Sequence, residues 1–169
     1  MPGEAVALAG ITGFGKAQCR RDGAGRSDVR DELRLTRATL LAFAVLGAGW
    51  GSFAALVPDL KAGLAVGDAA FGRMLLASAL GLLTAMWVAP RVDRALQARA
   101  MPVAVILLGT AFLGPGMASG PSGFLAAMAA LGMASGLTDV VMNVRVAERE
   151  TATGRSLMSL IHAAFSFAY

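Results

Sequence analysis

Charge is scarce in this sequence, and so are cysteine, histidine and tyrosine. Only 15% of the 169 residues are Asp, Glu, Lys or Arg, where a water-soluble domain carries about a quarter. With 56% hydrophobic residues and a mean hydropathy of +0.64, there is too little polar surface to clothe the folded chain in water. Lipid is the solvent this composition fits. The one cysteine, Cys19, excludes an internal disulfide and any zinc site built from several thiolates. No nucleophile, base and orienting acid can be assembled from the residues present, so an enzyme is not expected, and no metal or cofactor is implied.

The net charge of +4 and the pI near 10.2 would suit a nucleic-acid partner if the basic residues were clustered on a folded surface. They are not. Lys16, Arg20, Arg21, Arg26, Arg30, Arg34 and Arg37 all precede the apolar run that opens at Ala38, and most of the others fall between apolar runs. Residues 1–37, rich in Gly, Arg and Asp and without sustained periodicity, read as a mobile cytoplasmic leader with a short helix at Ser27 to Leu35. The leader lacks the order of charge, apolar core and small-residue cleavage site that marks a signal peptide. Its Gly10-Ile11-Thr12-Gly13-Phe14-Gly15-Lys16 has the glycines and lysine of a phosphate-binding loop. Ala17 stands where the magnesium-binding hydroxyl is required, and the leader has no room for a supporting sheet.

Residues 38–169 read as a transmembrane bundle. Apolar stretches at 38–60, 70–90, 101–119 and 122–144 each approach the length of about 20 residues that crosses a bilayer. A fifth begins near Ser156 and meets the chain end at Tyr169, too short to cross comfortably. Positive charge alternates along the connections. The leader is rich in it, and the first loop holds Lys61, with Arg73 just inside the next span, against Asp59 and Asp68. The second has Arg91, Arg94 and Arg99; residues 119–122 have none, and the fourth has Arg145, Arg149 and Arg155. Cytoplasmic loops are the ones enriched in Lys and Arg, so the amino terminus is expected in the cytoplasm, with a bacterial inner membrane as the setting.

Polar residues inside the spans are the candidates for function. Gly132, Gly136, Asp139 and Asn143 fall within about 60° of arc on the fourth helix. The glycines would admit a neighbouring backbone, and the polar pair would lie on that same packed side. Asp139 sits about six residues, roughly 9 Å, before Arg145. A carboxylate there costs about 2.5–3.5 kcal/mol on insertion scales, so it is expected to line a polar cavity, to carry protons, to reach the interface or to pair with Arg145. Ser159, His162 and Ser166 share one face of the last segment, where the imidazole suits a substrate contact, a proton relay or a hydrogen bond between helices. In the first helix Trp50, among Gly47, Gly49 and Gly51, offers an aromatic wall to a ligand or simply packs.

Ala89-Pro90-Arg91-Val92-Asp93-Arg94 resembles the start of the signature loop of major facilitator transporters, which reads Gly-x-Leu-Ala-Asp-Arg before a Gly-Arg-Arg end. Asp93 and Arg94 match; Ala89, Arg91, Leu96 and Gln97 depart from the pattern. Gly136-Leu137-Thr138-Asp139-Val140-Val141-Met142-Asn143 is similar to the fourth helix of fucose-permease-like facilitators, and His162-Ala163-Ala164-Phe165-Ser166 looks like their fifth. The resemblance covers residues 38–169. It implies an all-α fold of twelve helices in two bundles, of which this chain would be an incomplete first bundle lacking the C-terminal half. It further implies proton-coupled movement of a small, sugar-like solute, with Asp139 as the proton-linked acid, Asn143 beside the substrate path, and Asp93 and Arg94 in a gating loop. A small helical membrane scaffold, or a fragment without function, is the alternative.

Overall fold

The computed structural model describes residues 36–169. The leader helix, the Gly10–Lys16 segment and Cys19 lie outside the described residues. Five α-helices follow one another: α1 Thr36–Leu64, α2 Asp68–Leu96, α3 Ala100–Met117, α4 Pro121–Thr153 and α5 Met158–Ala168. The stretches Thr36–Leu64, Asp68–Met117 and Pro121–Thr153 are long and apolar enough to cross a membrane. The second contains 50 residues, more than twice what one crossing needs, and is broken by a turn of 3₁₀ helix at Gln97–Arg99. α5, with 11 residues, rises only about 16 Å.

The breaks have local causes. Ala65 (φ 50°) follows α1 and Gln97 (φ 47°) follows α2, both in the left-handed region that stops a right-handed helix. The Gln97 amide still donates to the Asp93 carbonyl. Pro121 opens α4 at a position where its missing N–H is no loss. Gly154 (φ 68°) closes that helix, donating to the Glu150 carbonyl at 2.8 Å.

Side-chain and backbone contacts give the helix directions. Phe71 stacks on Phe124, Leu82 and Ala85 meet Gly136, and Asp93 meets Arg145, so α2 and α4 run parallel. Phe43 meets His162, Gly47 faces Phe165 and Gly51 faces Tyr169, so α1 and α5 run parallel. Ala127 lies by Gly114, and the buried Thr138 hydroxyl donates to the Ala104 carbonyl of α3 at 3.1 Å and to Ala134 of its own helix at 2.8 Å. α3 and α4 are therefore antiparallel. α4 is central: 56% of its apolar window is buried, against 28% in α1 and 22% in the α2–α3 stretch. Away from the core, Leu76, Leu80, Leu83 and Trp87 form an exposed apolar row on α2, the surface a bilayer covers.

The α2–α4 seam rests on glycine. A methyl group at Gly132 would collide with the Ser78 backbone, and one at Gly81 with the Ala129 carbonyl. Lipid tails supply no hydrophobic drive between helices, so this close backbone approach and its dispersion contacts hold the pair together.

Candidate functional site

Two polar regions lie on α4. In the first, Asp139 is half-buried, takes a side-chain hydrogen bond from Asn143 one turn later, and lies within electrostatic reach of His162 on α5. Asn143 Oδ1 and the nearby Ser135 Oγ are buried and have no hydrogen-bond partner. His162 stays exposed; its Nδ1 lies 3.0 Å from the Met158 carbonyl, and its ring is 5.1 Å from that of Phe43. The Asp139 carboxylate thus meets the α5 imidazole, with the Asn143 amide and the Ser135 hydroxyl one turn to either side of it along α4. They can accept hydrogen bonds from a polar solute and hold or pass a proton.

The expected stripe is shared out along its length. Gly132 and Gly136 do press on α2, but Asp139 looks to α5. Nor does Asp139 pair with Arg145. That guanidinium is taken by Asp93 at 2.7 Å, the Gln97 carbonyl at 3.1 Å and Glu148 at 3.1 Å. Trp50 meets Phe53 and Phe112 edge-on, with ring centres 5.6 and 6.0 Å away, inside an aromatic packing cluster.

The second region is the charged end of the bundle. Asp93 and Arg94 do not sit in a loop as expected from the sequence: both lie inside α2, which stays helical to Leu96. Hydropathy marks where lipid ends, and a helix can continue past that level into water. Arg145 ties this extension to α4 across 52 residues of sequence. Five residues on, at the same end of α4, the Glu150 carboxylate accepts the Leu157 and Met158 amides at 2.5 and 2.8 Å, satisfying donors at the start of α5. Sequence reading missed both arrangements. The only signal for the first was an unpaired charge of each sign flanking two neighbouring spans.

Helices of spanning length and an outer surface of leucine and tryptophan define a polytopic α-helical membrane protein. Over 134 residues the chain is 35% identical to an uncharacterized MFS-type transporter of Yersinia pestis, an alignment covering 76% of this chain and 34% of that protein. This similarity supports membership of the major facilitator superfamily. The chain matches about a third of the length of that curated relative. No family model and no solved structure matches it.

Proposed function

We propose that the chain is the N-terminal part of a proton-coupled secondary transporter of the fucose-permease-like kind, moving a small, sugar-like solute rather than catalysing a reaction. The observation that carries this reading is Asp139, a carboxylate within a membrane-spanning helix, bonded to Asn143 and facing His162. A carboxylate with only a packing role would be replaced by Asn at lower insertion cost; its distinguishing ability is a change of charge. Asn143 Oδ1 and Ser135 Oγ are acceptors that solute hydroxyls would satisfy. In a transporter of this kind a second helix bundle would close the other side of the path.

In the longer transporter, Asp139→Asn is expected to insert and fold, to keep solute exchange, and to lose accumulation driven by an imposed pH difference. Accumulation undiminished in the mutant would make Asp139 structural and remove the proton-coupled reading. The alternation of positive charge supports a cytoplasmic amino terminus. A cysteine placed at Ser122 should then react with an impermeant maleimide in intact cells, and reaction only after permeabilisation would reverse the topology.

A further inference from the structure

We infer that the hollow at the charged end of the bundle binds the phosphate of an acidic membrane lipid. The cavity, about 590 Å³, is lined by Thr39, Asp93, Arg94, Gln97, Arg145 and Arg149, with Ala98 and Met101 on its apolar side. Its arginines are not equivalent. Arg145 is spent on Asp93, the Gln97 carbonyl and Glu148, and it cancels the one carboxylate of the lining. Arg94 and Arg149 remain as two surplus positive charges. Arg149 Nη1 is buried without an acceptor, an unfavourable state for a guanidinium donor, which an anionic oxygen would relieve.

Position favours a lipid as the source of that oxygen. The arginines stand where the apolar stretches of α2 and α4 give way to charge, and Trp87, 76% exposed, sits one turn before Arg91 on the outer face of α2. Trp in such a place marks the level of the headgroups. A basic pocket between helices at that level meets lipid phosphates at high local concentration, and Met101 and Ala98 offer apolar surface beside it.

The test is native mass spectrometry of the purified chain released from neutral detergent, with phosphatidylglycerol or phosphatidylcholine added. Phosphatidylglycerol should be retained preferentially, and Arg149→Gln and Arg94→Gln should each weaken it about five-fold, with phosphatidylcholine adducts unchanged. Arg94 is exposed, so its variant tests the site even where Arg149→Gln unfolds. Equal retention of the two lipids, or retention of phosphatidylglycerol indifferent to Arg94→Gln, overturns the proposal. Inorganic phosphate that displaces phosphatidylglycerol at matching concentration assigns the site to free anions and overturns the lipid source.

Discussion

Along α4, Gly132 and Gly136 press against α2 with no room for a methyl group, while within two turns of Gly136 Asp139 looks to His162 of α5 and Asn143 Oδ1 is left without a partner. The first contact has one good arrangement and tolerates nothing larger. The second is half-open and has hydrogen-bonding capacity in reserve. A helix that is fixed on one side can present a costly, adaptable polar group on another, because its stability does not depend on that group.

The contrast is most easily broken at the seam. Gly132→Val should destabilise the chain by about 3 kcal/mol, since its methyls meet the Ser78 backbone, which cannot rotate away as a side chain can. Loss of the monodisperse species in detergent, or a matching shift in an SDS unfolding titration, is the measurement; an unchanged midpoint would mean that the helices separate freely.

A smaller effect is expected at the charged end. Arg145→Gln leaves the part-buried Asp93 carboxylate without its cation, and a cost of about 2 kcal/mol lies between the values for surface and buried pairs. In a double-mutant cycle, Asp93→Asn should recover about half of it, and strict additivity would show that the pair contributes nothing as a pair.

Smallest of all, Gly109→Ala should stabilise by up to about 1 kcal/mol. Open space surrounds this glycine, so the gain in helix propensity meets no collision. If Gly109→Ala and Gly132→Val shifted stability in the same direction, the seam would not be the special place its geometry makes it.

Much of this was legible in the sequence, and the limits are physical. Span positions followed from length and hydropathy, because lipid imposes both. Helix ends did not: α2 runs to Leu96 rather than 90 and α4 to Thr153 rather than 144, since a charged helix in water has no hydropathy signature. Gly132 and Gly136 were readable as a packing pair from their spacing. The residues of α2 they press on, Ser78, Leu82 and Ala85, were not, because which helix packs on which is a matter of topology. Asp139 stood out through its cost in lipid, while its facing imidazole and the Arg145–Asp93 tie depended on contacts remote in sequence.

α4 has 33 residues and so is about 50 Å long, and besides the Thr138 bond to α3 near its middle it makes two polar tethers at one end: Arg145 to the end of α2, Glu150 to the beginning of α5. It works as a connecting rod with two pins on the same side of the bilayer. Sliding or tilting α4 pulls on the α2–α3 turn and on the entry of α5 at once, so neither neighbour can shift there independently of the other. A displacement begun at Asp139 in the middle of the rod would be delivered to both pins together.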